Sequence, residues 1–337
     1  MLSVMSILDK LCQIKSPSGY EKDMAKHICE LAEKEGLFCK TDALGNLIVH
    51  RKGDGMRCVL EAHMDTTGIM ATYIDENGYV RFDTLGKVSA EDICGAQIEF
   101  LNGVCGTVSC EGKTDDSKRK ISSMFIDIGA KDEKSARECV LPGDAAVFCG
   151  KIKKLADGRI SAPYLDNRVG CAIVLWTMLS LKKTDYDVYA VFSTQKEVGN
   201  RGAKTAVYAL DADFAIVVDA TPSFDTPNPS HFGETKLSKG PAIKIMDAAF
   251  VAHPEIISAL SETADKCKIE VQREVVPTER TNGGINTVSS GLPTGGVSVP
   301  VRYMHTPCEV ADSEDITISA KLLLNTLEGN SVFFKKA

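Results

Sequence analysis

What the sequence has little of already excludes several classes of protein. No apolar run approaches the roughly 18 residues that a membrane-spanning helix needs, so we expect no membrane segment. The chain lacks an excess of positive charge: its formal net charge is -7 and its pI is near 5.5, which argues against a nucleic-acid partner. Aromatic residues make up only 6% of the chain, with one Trp, so platforms for stacking sugars are scarce.

The twelve cysteines lack the pattern of a disulfide framework or a zinc finger. They are scattered through a long chain with no CxxC pair, and we expect no secretory leader. The closest pair, Cys105 and Cys110, has no neighbouring ligands at zinc-finger spacing, so such cysteines are best interpreted as small hydrophobic residues. We therefore expect reduced thiols and a cytoplasmic location.

Length and pattern predict a layered α/β protein. The 337 residues, 44% of them hydrophobic, are too many for one ordinary core and predict a large domain that carries a smaller one. Extended apolar runs alternate with segments of helical spacing. The predicted strands are 46–50, 58–62, 189–193 and 214–218, and the predicted helices are 18–35, 168–181 and 201–210. A capping box of Ser18 and Glu21 is predicted to open the first helix.

Residues 68–158 have a different sequence pattern, in which short strand-like stretches are separated by Gly, Asp and Asn turns. These stretches are 69–73, 80–83, 96–100, 124–128 and 145–148. We predict a small β-barrel inserted into an α/β domain that residues 1–67 and 159–337 form.

Polar residues with metal-binding chemistry follow the predicted strands. In open α/β sheets, ligand sites lie beyond the carboxyl ends of the strands. A pair of divalent cations about 3.5 to 4 Å apart needs a bridging carboxylate together with His and carboxylate ligands. The candidate ligands are His63, Asp166, Glu197, Asp219 and His305. Asp65, two residues after His63, is placed to orient the imidazole.

Each candidate also has a structural explanation when it is taken alone. A single His at a strand end is more often a hydrogen-bonded surface residue, and Asp166 could simply cap the helix that follows it. The remaining histidines have no comparable partners in the sequence and are expected to be structural or solvent-facing; they are His27, His50, His231 and His253. Only the combination of candidates indicates a metal site.

An ordered series of motifs carries a family resemblance over nearly the whole chain. The motifs lie at 16–21, 42–46, 62–65, 125–129 and 302–307. Together they resemble the glutamyl aminopeptidase and tetrahedral aminopeptidase family, cytosolic dinuclear metallopeptidases that have also been labelled endoglucanases. The resemblance implies a metallopeptidase-like α/β/α sandwich whose inserted β-barrel is a dimerisation domain. It also implies a homo-oligomer, from a dimer up to a dodecamer.

The resemblance assigns a role to each candidate ligand. Asp166 is implied to bridge two divalent metal ions, which are zinc, cobalt or manganese. His63 and Asp219 would complete one metal site, and Glu197 and His305 the other. Asp65 is implied to support His63.

The sequence departs from the family pattern at three positions. Where the family has two consecutive glutamates, the first of them the general base, this chain has Lys196 before Glu197. Thr66 and Asn286 replace acidic residues that are usual in the family. One unit charge about 5 Å away at an effective dielectric near 20 costs roughly 3 kcal/mol, which is enough to push Lys196 toward its neutral form or away from the metals. The three changes suggest altered chemistry near one pocket.

The sequence therefore predicts a metal-dependent aminopeptidase-type hydrolase that acts on the N-termini of short peptides and that Lys196 impairs or alters. Two interpretations of Lys196 stay open: a neutral amine that accepts a proton, or a side chain that points outward and leaves no protein base. The alternative function is a non-catalytic homologue that binds metal and peptide. A glycoside hydrolase is a lesser alternative, because the available carboxylates are already assigned to metals.

Overall fold

The structure is a computed structural model that describes residues 2–112, 119–229, 233–278 and 281–329. In chain order its helices are α1 (Val4–Leu11), α2 (Lys22–Lys34), α3 (Ala90–Ile93), α4 (Glu133–Arg137), α5 (Leu165–Ser180), α6 (Arg201–Tyr208), α7 (Pro254–Cys267) and α8 (Ser313–Glu328). A short 3-10 helix covers Asn282–Thr287. Within these described ranges, no helix has the length and apolar character that crossing a membrane requires.

The strands divide between one large sheet and one closed barrel. In chain order they are β1 (Phe38–Thr41), β2 (Leu47–Arg51), β3 (Arg57–His63), β4 (Gly68–Ile74), β5 (Val80–Leu85), β6 (Gln97–Phe100), β7 (Cys105–Cys110), β8 (Met124–Asp127), β9 (Ala145–Phe148), β10 (Lys153–Lys154), β11 (Arg159–Ala162), β12 (Asp187–Ser193), β13 (Phe214–Pro222), β14 (Ala242–Asp247), β15 (Gln272–Val276), β16 (Thr294–Arg302) and β17 (Glu309–Asp312). The large sheet follows the order β1-β2-β12-β3-β13-β16-β17-β11-β10, and β14 pairs with both β16 and β15.

The middle of the large sheet is parallel, which brings strand ends together. β12, β3, β13 and β16 pair in parallel with their immediate neighbours. Ser193, the last residue of β12, lies opposite His63, the last residue of β3. On the other side of β3, Val217 of β13 pairs with Glu61, so Asp219 comes at the level of His63. One edge of the sheet therefore collects the polar residues that follow three strands.

Helices cover both faces of this sheet, because side chains alternate between the faces along each strand. Leu60 of β3 joins the larger apolar cluster, which also contains residues of α1, α2, α5, α7 and α8. Val59 joins a smaller cluster with Ala203 and Val207 of α6. Nearly every side chain of α5 is buried, since α5 lies between the sheet and the helices α1 and α8. This arrangement confirms the predicted α/β/α sandwich.

The inserted barrel closes in the order β4-β5-β8-β7-β6-β9 with antiparallel pairing. Its interior is an apolar cluster separate from those of the sheet, with Ile69, Phe82 and Phe100 among its buried members. The chain leaves the large sheet after His63 and returns to it before Asp166. The predicted barrel strands correspond to β4, β5, β6, β8 and β9, while β7 was not predicted.

The predicted capping box of the first long helix is wrong. α2 begins at Lys22, and its N-cap residue Glu21 makes no side-chain capping hydrogen bond. The Ser18 hydroxyl instead donates to Asp65 Oδ2 at 2.6 Å, and Glu21 Oε1 accepts from the backbone N–H groups of Gly19 and Gln195. Both side chains support the loops of the candidate site rather than the helix.

Candidate metal centre

The structure brings all five candidate ligands together at the carboxyl edge of the parallel strands. His63 ends β3 and Asp219 lies within β13, whereas Glu197 follows β12 and His305 follows β16. Asp166 lies in the first turn of α5 and is shared by two groups of possible ligand atoms. The first cluster is His63, Asp166 and Asp219, and the second cluster is Asp166, Glu197 and His305; in each, the ligand atoms lie within 4.8 Å of one another.

Distances within the clusters place one carboxylate oxygen of Asp166 toward each histidine. His63 Nε2 lies 3.3 Å from Asp166 Oδ1 and 3.5 Å from Asp219 Oδ1. His305 Nε2 lies 3.0 Å from Asp166 Oδ2. Asp166 therefore stands between the clusters with one oxygen available to each, as a bridging carboxylate requires.

The ligand atoms of His63 and Asp166 suit a divalent cation, because they do not form hydrogen bonds with each other or with other described residues. In the described part of the chain, His63 Nε2 and both carboxylate oxygens of Asp166 are buried and make no hydrogen bond. Ligands bound at about 2.0–2.1 Å around a tetrahedral zinc lie roughly 3.3 Å apart, close to the spacing of these atoms. Buried polar atoms without partners are costly, and a bound cation would satisfy them. The residues present therefore fit divalent metal.

Asp65 supports the centre through more than the histidine beside it. His63 Nδ1 lies 3.0 Å from the backbone carbonyl of Asp65 and 3.4 Å from its carboxylate. The carboxylate also accepts from the backbone N–H groups of Lys196 at 3.0 Å and Glu197 at 2.9 Å. Burial raises the pKa of Asp65, but His63 and the donors around the carboxylate lower it overall. Asp65 thus connects the loop after β3 with the loop after β12.

Asp65→Asn is expected to weaken metal binding by about 10- to 100-fold, the usual cost of losing a group that orients a ligand. The amide presents an N–H₂ group to backbone N–H groups that need an acceptor. Zinc titration followed by calorimetry measures the effect, and Asp54→Asn in an exposed loop is the control. Equal affinities in the two variants would show that Asp65 does not position the ligands.

Glu309 is a supporting residue that the sequence analysis missed. Its carboxylate accepts from the backbone N–H of Asp166 at 2.9 Å and from that of His305 at 2.7 Å. Burial, followed by the nearby charge of Asp166, raises the pKa of Glu309 to about 8. Glu309 thereby fixes the backbone of two candidate ligands. The only sequence signal is a glutamate at the start of an otherwise apolar and short strand.

Lys196 lies inside the centre, which contradicts the interpretation that it points outward. Its Nζ is 2.9 Å from Glu197 Oε1 and 3.9 Å from Asp166 Oδ2, and its side chain is 9% exposed. Burial lowers the pKa of Lys196, but Asp166, Glu197 and Asp219 raise it well above the ordinary value. The same surroundings outweigh the effect of burial on His305 and raise its pKa to about 9. These carboxylates thus favour the ammonium form of Lys196.

The other described histidines lie outside the clusters. His50 Nε2 is 2.7 Å from Asp187, and its ring stacks on Tyr189, so this histidine has the structural role that was expected. His253 is the N-cap residue of α7. His27 is a partly buried residue of α2, and His231 lies outside the described residues.

A cavity of about 220 Å³ opens onto the second cluster. Its lining includes Lys196, Glu197, Asp219 and His305, together with Lys87 from the loop after β5. Within the described chain, neither Thr66 nor Asn286 lines this cavity. Of the three departures from the family pattern, Lys196 is the one that lines it.

The barrel approaches the centre at Gly86. A Cβ atom at this position, where φ is +90°, would lie 2.9 Å from Cβ of Glu197. Gly95 has a similar φ of +86°, but nothing lies within 4 Å of its Cβ position. Both glycines adopt the left-handed backbone that a side chain disfavours, and only Gly86 contacts a candidate ligand.

Gly86→Ala is expected to lower kcat/KM of the hydrolase activity that the sequence predicts by on the order of 100-fold, because the added methyl displaces Glu197. Gly95→Ala carries a similar backbone cost of about 1–2 kcal/mol without that contact. Steady-state kinetics and urea unfolding of both variants separate the two effects. Similar losses of activity in both would show that the contact with Glu197 has no functional role.

An α/β sheet with an inserted barrel and converging histidines and carboxylates at its strand ends is the organisation of a metal-dependent hydrolase. Residues 45–322 match the M42 glutamyl aminopeptidase family. The chain belongs to this family of metal-dependent peptidases and is a hydrolase of the peptidase type.

Similar proteins extend over the same length. A putative aminopeptidase of Acetivibrio thermocellus is 42% identical, over 96% of this chain and 98% of the relative. The lysyl aminopeptidase of Pyrococcus furiosus is 31% identical, over 96% of each chain. The solved structure of aminopeptidase APDkam598 from Desulfurococcus kamchatkensis superimposes with a TM-score of 0.92 at 30% identity, covering 96% of this chain and 94% of that one.

The TET1 peptidase of Pyrococcus horikoshii has the same fold, with a TM-score of 0.87 at 27% identity, covering 96% of this chain and 99% of that one. That peptidase can assemble into a tetrahedron or a large octahedral shell.

Proposed function

We propose that this chain is a metal-dependent aminopeptidase that removes residues from the N-termini of short peptides, with a rate that Lys196 limits. The observation that carries the proposal is the pair of ligand clusters sharing Asp166 beside an open cavity. At about 220 Å³, the cavity is smaller than the roughly 300–1,000 Å³ of drug-sized ligand pockets. A cavity of this size suits the terminal residue of a peptide better than a folded chain.

The proposed centre takes two divalent cations, which are zinc, cobalt or manganese. His63 and Asp219 would hold one, Glu197 and His305 the other, and Asp166 would contribute an oxygen to each. When bound, such cations polarise a scissile carbonyl and lower the pKa of a water molecule. Asp65 and Glu309 keep the ligand-bearing loops in position through backbone hydrogen bonds.

Lys196 supports a slow enzyme rather than an efficient one. Its ammonium group stands at the position where the family resemblance implies a general base, and an ammonium has no lone pair to accept a proton. Loss of a general base typically lowers the rate by about 100- to 10,000-fold. We therefore expect the natural protein to hydrolyse peptides well below the rate of a centre with glutamate at this position.

A second candidate function is the binding of metal and peptide without turnover. The ammonium of Lys196, 2.9 Å from Glu197, favours it, because this group cannot accept a proton at the position implied for the general base. Detectable hydrolysis that needs metal distinguishes the proposed enzyme from this alternative.

Glycoside hydrolysis has little support. Its two carboxylates flank the sugar, about 5–5.5 Å or 6.5–9.5 Å apart. The carboxylates here converge with histidines within 4.8 Å, in the geometry of shared ligands.

We also propose how the chain is organised in solution. The barrel of residues 68–158 would mediate contact between subunits, and residues 1–67 and 159–337 would form the catalytic domain of a cytoplasmic homo-oligomer, from a dimer up to a dodecamer. The assembly of the Pyrococcus horikoshii relative supports an oligomer. The free cysteines support a reducing compartment. Light scattering coupled to size exclusion measures the assembly, and a monomer at all concentrations would contradict it.

Release of N-terminal residues from a peptide panel tests the proposed function. The protein is stripped with a chelator and then assayed with zinc, cobalt or manganese restored. We expect hydrolysis that disappears on chelation and returns with metal. Binding of peptide without any hydrolysis, at concentrations that saturate the metal sites, would favour the binding protein instead.

A further inference from the structure

The amino group of Lys196 lies on one side of the centre rather than at its middle. Among the described residues, its anionic contacts within 4 Å are Glu197 Oε1 and Asp166 Oδ2, the oxygens that face the second cluster. Asp166 Oδ2 is also the oxygen that faces His305, while Oδ1 faces His63. The lysine therefore shares oxygens with the second cluster, whereas in the described part of the chain no lysine or arginine forms an ion pair with Asp219 within 4 Å.

The local structure holds the lysine in this place. The backbone N–H of Lys196 donates to Asp65, and the next N–H, that of Glu197, donates to the same carboxylate. The loop that bears the lysine is thereby fixed, and the side chain is directed into the centre with 9% exposure. An ammonium ion directed between two buried carboxylates provides the opposite charge that they need.

The two clusters therefore differ in the charges and ligand atoms that surround an incoming metal ion. In the first cluster, an incoming cation meets His63 Nε2 and Asp166 Oδ1, which have no hydrogen-bonding partner among the described residues. In the second cluster, Asp166 Oδ2 also makes no hydrogen bond among the described residues, but an incoming cation meets an ammonium already paired with Glu197 Oε1 at 2.9 Å. Like charges about 4 Å apart repel strongly even at an effective dielectric near 20.

We propose that Lys196 is a built-in cation that replaces the second metal ion, so that the protein binds one divalent cation tightly at His63, Asp166 and Asp219. The second cluster takes a metal only when the lysine moves away. The cavity of about 220 Å³ beside Lys196 gives the side chain space to do so. This inference rests on the proposed metal centre and changes its stoichiometry from two tight cations to one.

Metal stoichiometry tests the inference without relying on activity. The chelator-treated protein is titrated with zinc by calorimetry, and bound zinc is counted after equilibrium dialysis at fixed free zinc. The variants are Lys196→Gln and Lys196→Met, which remove the charge at similar length. Lys204→Gln is the matched control, because Lys204 is an exposed lysine of α6.

We expect one tight zinc per chain in the natural protein and in the control. Both Lys196 variants should bind two, with the second affinity increased by about 100-fold or more, since one repelling charge is gone. His305→Ala in the natural protein should leave the tight zinc in place, because this ligand belongs to the second cluster. The His305 variant keeps the test decisive if the lysine variants fold poorly, which circular dichroism would reveal.

Two equally tight zinc ions in the natural protein would overturn the inference, as would loss of the tight zinc in His305→Ala. An unchanged second affinity in folded Lys196 variants would overturn it too. If neither the natural protein nor any folded variant binds zinc, cobalt or manganese, the proposed metal centre itself is wrong. The failure of the inference and the failure of the proposed function are thus distinguishable.

Discussion

Lys196→Glu is expected to raise kcat/KM for release of N-terminal residues by about 100- to 10,000-fold. Glutamate at this position restores a group that can accept a proton, and it changes the charge beside the ligands by two units. It also removes the ammonium that contacts Glu197 and Asp166. Both changes act in the same direction, which makes this the largest gain of function expected for any substitution here.

The measurement compares the natural protein, Lys196→Glu and Lys196→Gln on the same peptides at saturating metal. Lys204→Glu reverses an exposed charge of α6 and serves as the control. If glutamine raises activity as much as glutamate does, removal of the positive charge is sufficient and a new base contributes little. No gain with either substitution would contradict the account of Lys196 as the limiting residue.

Asp166→Asn is expected to cause the largest loss, because both clusters share this carboxylate. An amide has no negative charge and cannot supply an anionic oxygen to each side. The loss of metal affinity should exceed the roughly 10- to 100-fold that removal of a supporting group costs. Peptide hydrolysis should fall with it.

Zinc content after dialysis and residual hydrolysis measure this prediction together. Asp83→Asn, at an exposed position of β5, provides a matched change in the barrel. Zinc retention by Asp166→Asn at the natural level would show that the cation binds elsewhere. Loss of zinc in both variants would indicate a general effect of the lost charge.

The sequence correctly predicted those strands and helices that have a continuous apolar run or a distinct apolar face. β3, β12 and β13 are short apolar runs in the middle of the sheet, so their positions followed from hydrophobicity alone. β7 has the sequence CGTVSC, in which only Val108 is buried. Such a strand carries almost no apolar signal, because closure of the barrel, rather than burial, determines its pairing.

The candidate site was predictable only as far as strand ends could be located. The chain order predicts that His63 and Asp219 meet, because parallel strands bring their carboxyl ends to one edge. The same argument does not reach Glu309, whose role depends on backbone N–H groups more than 140 residues away in one case. For Ser18 the sequence predicted a role that the structure does not show. Its motif is suitable for capping a helix, but its hydroxyl donates to Asp65 instead.

The position of Lys196 could not be obtained from the sequence. A lysine beside two dications was expected to become neutral or to turn outward. The structure places the side chain between Glu197 and Asp166, where opposite charges stabilise the ammonium. The outcome depends on distances of 3 to 4 Å that composition and spacing do not contain.

The most direct test of the central claim is anomalous diffraction at the zinc edge, from crystals of the natural protein and of Lys196→Gln grown with zinc. The account predicts a peak among His63, Asp166 and Asp219 in both, and a second peak among Asp166, Glu197 and His305 in the variant. Two peaks of equal height in the natural protein, zinc bound away from these residues, or zinc in neither crystal would contradict it.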